Sequence, residues 1–79
     1  MAFIEYIVSE YTTTTDQFAT YDAIANIASQ LTDQGFEYTV DFWLAEVYYK
    51  ENGNQMLKFH FVDEKRAMLI KIKGIKNNG

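Results

Sequence analysis

Cysteine is absent from this chain of 79 residues, which removes disulfide staples, thiolate metal sites and thiol nucleophiles together. Histidine occurs once, at His60, and no Gly-x-Ser-x-Gly elbow accompanies it, so no nucleophile–base pair can be assembled there. The four glycines, Gly35, Gly53, Gly74 and Gly79, are isolated and none opens a helix, which leaves no phosphate-cradling loop. No run of about 18 uncharged apolar residues occurs. The opening MAFIEYIVSEY has no basic leader, and the expectation is a cytoplasmic protein with no membrane partner.

The most informative absence is of one sign of charge. Residues 1–49 hold eight acids (Glu5, Glu10, Asp16, Asp22, Asp33, Glu37, Asp41 and Glu46) and neither lysine nor arginine, a net charge of −8. Residues 50–79 hold seven bases against three acids, a net charge of +4, so the formal total of −4 conceals a division along the chain. Such asymmetry between halves points to interaction surfaces.

What is abundant is aromatic. Hydrophobic residues make up 48% and aromatics 16%, well clear of a disordered composition. The rings compensate for short length by burying a large area each, and residues 1–79 form one small domain with no room for a second.

The segment AFIEYIV alternates Ile4, Tyr6 and Val8 against Glu5, Ile7 and Ser9, a strand pattern. In TTDQ a threonine precedes Gln17 by three residues, a capping box that would start a helix near residue 15. Phe18, Tyr21, Ile24, Ala25, Ala28 and Leu31 then supply an apolar stripe with Ile27 at its margin, and Gly35 ends the helix. Residues 36–50 alternate as a long second strand, with a loss of phase at Ala45 and Glu46 that calls for a bulge. ENGN is a hairpin turn, MLKFHFV a third strand burying Leu57, Phe59 and Phe61, and DEKR a polar turn. AMLIKIK reads as a fourth strand burying Met68, Ile70 and Ile72, and residues 76–79 as a frayed tail.

The expected fold class is therefore α+β: β-α-β-β-β, a four-stranded, mainly antiparallel sheet with one helix packed on one face. The opposite face, carrying Glu5, Ile7, Glu37, Thr39, Asp41, Trp43, Lys58, His60, Lys71 and Lys73, is left open to water or a partner.

No catalytic residue, metal ligand set or cofactor site emerges. Glu37 and Asp41 stand about 13 Å apart on an extended strand, too far to share a proton. One histidine and scattered acids match no zinc or calcium spacing. LKFHFV resembles the third-strand signature of RNA-recognition motifs over about six residues but lacks both glycines, and Phe59 and Phe61 share a face with Leu57, as core residues do. A pI near 4.7 also stands against direct nucleic-acid binding by the basic second half.

On the helix, Asp22, Asn26, Ser29 and Asp33 lie opposite the apolar stripe. Asp33 falls in the last turn, where the helix dipole costs a carboxylate about 0.3–1 kcal/mol. A local rule broken without local compensation marks a functional candidate. The expectation is a non-enzymatic inhibitor that binds a basic host or defence protein, with Asp22, Asp33, Glu37, Asp41 and Glu46 supplying charge and Trp43 an apolar anchor. Small size, acidity and absent catalytic signature are the general character of phage and mobile-element inhibitors, including anti-CRISPR proteins and DNA mimics. The alternatives are a nucleic-acid-binding module using the basic hairpin and a structural subunit that forms a homodimer through the open sheet face.

Overall fold

Strict alternation in QMLKFHF sends Leu57, Phe59 and Phe61 to one side, and all three are fully buried. The computed structural model describes residues 2–77. Its elements are β1 (Ala2–Ile7), α1 (Val8–Tyr11), α2 (Ala19–Asp33), β2 (Phe42–Tyr49), β3 (Gln55–Phe61) and α3 (Glu64–Lys73). The sheet is three-stranded and antiparallel in the order β1-β3-β2. Among the described residues it is α+β as expected, but with three helices rather than one and no fourth strand.

The fourth strand is the main correction. AMLIKIK lies in α3, because the Asp63 carboxylate accepts hydrogen bonds from the backbone N–H groups of Lys65 and Arg66 and opens a helix there. Glu64 in the first turn and Lys71 and Lys73 in the last complement the dipole, and Ala, Met, Leu, Lys and Arg are good helix formers. The Ile-Lys-Ile-Lys alternation is thereby overridden. Ala67 and Ile70 enter the core, while Met68 and Ile72 point outward.

The second strand is shorter than its pattern. After α2, the N–H of Phe36 bonds the Leu31 carbonyl and that of Gly35 the Thr32 carbonyl, a Schellman ending with Gly35 at φ +92°. Residues 37–41 then turn, with the Val40 and Asp41 N–H groups both bonding the Glu37 carbonyl and Asp41 Oδ2 accepting from the Glu37 N–H at 2.7 Å. Extended pairing starts only at Phe42. The bulge falls where the phase was lost, between Leu44 and Glu46, and the hairpin closes through Lys50 and Asn54 with Gly53 at φ +89°.

The main helix starts at Ala19, not near residue 15, and its N-cap Phe18 has no side-chain cap. The threonine run is the cause. Thr12 Oγ1 accepts from the Thr14 N–H, Thr14 Oγ1 from the Asp16 N–H, and Asp16 Oδ1 from the Phe18 N–H, three successive local turns that compete with the helix. The buried stripe is also rotated, to Ala23, Ile27 and Leu31, leaving Phe18, Tyr21 and Ala25 exposed. Ile27, expected at the margin, is its centre.

Both long helices lie on the same side of the sheet. Ile4, Tyr6, Phe42, Leu57, Phe59 and Phe61 meet Ala23, Ile27 and Leu31 of α2 and Ala67 and Ile70 of α3 in one core. Phe42 stacks on Phe61 at 5.8 Å, and Phe36 meets both edge-on. The expected tail is partly anchored: Ile75 packs on the core, and Lys76 exchanges two backbone hydrogen bonds with the Gln30 amide, both at 2.7 Å. Residues 78 and 79 lie outside the described residues.

Tyr6 adds a pH dependence. Burial, helped by the neighbouring Tyr11, pushes its hydroxyl well above the ordinary range, and the oxygen has no hydrogen-bond partner. The fold disfavours the ionised form, so this contribution is complete below the ordinary tyrosine value of about 10 and is lost as pH rises beyond it. Urea titrations on either side of that pH are expected to show stability falling at the alkaline end. Tyr6→Phe should reduce that fall and be neutral or stabilising by up to about 1 kcal/mol at neutral pH, since no hydrogen bond is lost.

Candidate functional site

Alternation in three paired strands places nine side chains on the sheet face away from the helices, in three cross-strand rows. Phe3, His60 and Trp43 form the first, Glu5, Lys58 and Glu46 the second, and Ile7, Met56 and Tyr48 the third. In the first row Trp43 stacks on His60 at 4.5 Å and Phe3 meets His60 edge-on at 5.2 Å. Phe3 and Trp43 remain 39% and 37% exposed, large rings on a surface where a solvated sheet carries polar residues.

The second row is acid, base, acid. Lys58 Nζ lies 3.6 Å from Glu46 Oε1 and 5.1 Å from the Phe3 ring centre, while the Tyr48 hydroxyl donates to Glu5 Oε1. That last bond, with burial and the Glu5 and Glu46 charges, holds the Tyr48 hydroxyl above its ordinary range. With one base between two acids the face is net negative.

His60 is held by rings alone, because both imidazole nitrogens are covered and have no hydrogen-bond partner. An unmet polar atom costs stability that a hydrocarbon would not. His60→Phe is therefore expected to be neutral or stabilising by up to about 1–2 kcal/mol in thermal denaturation. A clear loss would mean that the nitrogens have partners in solution.

The six candidates from the sequence fall into three places. Trp43 and Glu46 share the open face. Glu37 and Asp41 share the turn before β2, where Asp41 Oδ1 is 3.5 Å from Arg66 Nη1. Arg66 also lies over the Phe36 ring at 4.0 Å and donates to the Gly35 carbonyl at 3.0 Å, so Asp41 helps latch α3 to the end of α2. On α2, Asp22 Oδ2 accepts from the Thr12 hydroxyl at 2.7 Å, and Asp33 helps wall a groove of about 700 Å³ with Lys73 and Lys76.

Folding thus brings bases back among the acids. Lys58 stands between Glu5 and Glu46, Arg66 meets Asp41, and Lys73 and Lys76 share a groove with Asp33. The helix acids are not an uninterrupted array. Four members of the open face, Phe3, Glu46, Met56 and Tyr48, were absent from the expected sheet surface, although the alternation that selects Glu5 selects Phe3 as well. Of the five expected residues that do not lie on this face, Glu37, Thr39 and Asp41 sit in the turn before β2 and Lys71 and Lys73 on α3.

Among the described residues no cluster of three or more His, Cys, Asp or Glu side chains is assembled, and no helix is long and apolar enough to cross a membrane. Comparison with protein-family models, curated proteins and solved structures returns no match.

Proposed function

We propose that this chain is a non-enzymatic protein-binding domain that occludes a basic, nucleic-acid-handling protein in the cytoplasm, docking through the open face of its sheet. The observation that carries this reading is the aromatic row of Phe3, His60 and Trp43, whose two outer rings are part exposed and which the carboxylates of Glu5 and Glu46 border. A large ring near the centre of a surface supplies most of the affinity of an interface, and acidic flanks select cationic partners and speed encounter. An arginine-bearing surface satisfies both, through charge pairing with the acids and stacking on the indole. Because Lys58 separates Glu5 from Glu46, the docking element is an aromatic plug with acidic flanks rather than a phosphate-like row of charges. The absence of cysteine suits a reducing compartment. The proposed role is that of a phage or mobile-element inhibitor, of the kind that anti-CRISPR proteins represent, and its support there is the acidity of the chain.

The test is capture from host lysate at low and high salt by the native chain, Trp43→Ala and Glu46→Lys, followed by mass spectrometry. The reading expects basic nucleic-acid-handling proteins that salt releases and that both variants fail to retain. Equal capture by all three chains would remove the sheet face as the docking surface.

A further inference from the structure

The outer surface of α3 inverts the usual order of a surface helix. Its inward side is Ala67 and Ile70, while Met68, Leu69 and Ile72, at i, i+1 and i+4, are 61%, 64% and 78% exposed. Lys71 and Lys73 flank this stripe on its two sides, and neither has an ion-pair partner among the described residues. The domain therefore carries two uncovered apolar surfaces with rims of opposite sign: rings with Glu5 and Glu46 on the sheet, and aliphatic side chains with lysines on α3.

The two surfaces border each other at Met68, while Leu69 and Ile72 lie toward Gln34 and Phe36. α3 packs beside β1, and Phe3 of the sheet face lines one groove of about 280 Å³ together with Met68 and Lys71 of α3. Complementary patches that adjoin along one edge form a self-complementary surface, which a two-fold axis can close. Patches on opposite sides would instead propagate head to tail. Pairing sheet face with sheet face opposes two net-negative surfaces, and pairing α3 with α3 sets lysine against lysine, whereas the crossed arrangement opposes a net-negative face to a lysine-rimmed one. It also gives the sheet a helix on its bare side, the layer that the single chain lacks.

We propose that two copies of this chain associate reciprocally, the outer face of α3 of each covering the open sheet face of the other. The inference rests on the reading that the sheet face receives a cationic, apolar surface, because α3 is such a surface. Self-association and partner capture then compete for Trp43, and the dimer is the resting form of the binding face.

Sedimentation equilibrium from low micromolar to near-millimolar protein, at low and high salt, tests this together with the emission of Trp43, the single tryptophan. The expected result is a monomer–dimer equilibrium weakened by salt, with Trp43 shifting to shorter wavelength as the dimer forms. Leu69→Asp, at an exposed position and checked by circular dichroism, is expected to weaken association at least about tenfold. Lys71→Glu with Lys73→Glu should weaken it similarly. Monomer at every concentration overturns the proposal, as does a dimer indifferent to Leu69→Asp or one whose formation leaves Trp43 emission unchanged. Binding of the monomer to phosphatidylserine vesicles that is lost in Leu69→Asp also overturns it, in favour of a lipid surface. Leu69→Asp leaves the sheet face intact, so the two readings fail separately: without self-association the variant and the native chain capture partner equally, whereas failed capture by the monomeric variant removes the docking reading.

Discussion

Phe59→Ala is expected to lower the unfolding free energy by about 3–5 kcal/mol, a large share of the roughly 5–15 kcal/mol that holds a domain folded. Phe59 lies at the middle of the central strand, opposite Ile4 of β1 and Leu44 of β2, and is fully buried. Its ring is 6.0 Å from both Tyr6 and Phe42, so truncation opens a cavity at the junction of all three strands. A domain of 79 residues has little further core from which to refill it. The contrast is Phe18→Ala. Phe18 opens the apolar stripe in the helical pattern, but its ring is 58% exposed, and its loss should change stability by no more than about 0.5 kcal/mol. Urea denaturation of both variants checks the rotated face of α2. Equal costs would restore the stripe read from sequence.

Trp43→Ala is expected to reduce affinity for the captured partner by about 30-fold or more, the loss typical of a buried aromatic anchor. Its effect on the fold should be smaller, about 1–2 kcal/mol, because the ring is part exposed and loses chiefly its stack on His60. Glu46→Lys should act mainly on association rate and salt dependence, as rim charges do. Asp22→Lys is the control on the helix: it breaks the bond from Thr12, so it should lower stability while leaving affinity unchanged. Calorimetric titration of the four chains separates the sheet face from the helix. If Asp22→Lys weakened binding and Trp43→Ala did not, the acidic helix would be the docking element.

Much of this architecture was legible where local signals agreed. In β3 the alternation, the ring content and the Asn-Gly turn before it all favour one answer, and the buried set Leu57, Phe59 and Phe61 follows. The loss of phase at Ala45 located a real bulge. Elsewhere two local signals conflict. The period of two in residues 70–73 spoke for a strand, whereas the cap at Asp63 and the propensities of residues 64–69 spoke for a helix, and the cap prevailed. Thr14 and Gln17 fit a capping box by spacing, yet neighbouring threonine and aspartate side chains close turns of their own first. Of the candidate site, the sheet face with Trp43 could be read from alternation. The return of Lys58 and Arg66 to the acids could not, because cross-strand register and the docking of α3 are tertiary facts with no local trace.

Trp43 is expected to become covered when the partner binds. Acrylamide quenching of the monomeric Leu69→Asp chain, with and without the captured protein, tests it most directly. Ready quenching of the free chain and strong protection of the indole in the complex are expected. An indole equally open to acrylamide in both states would contradict it.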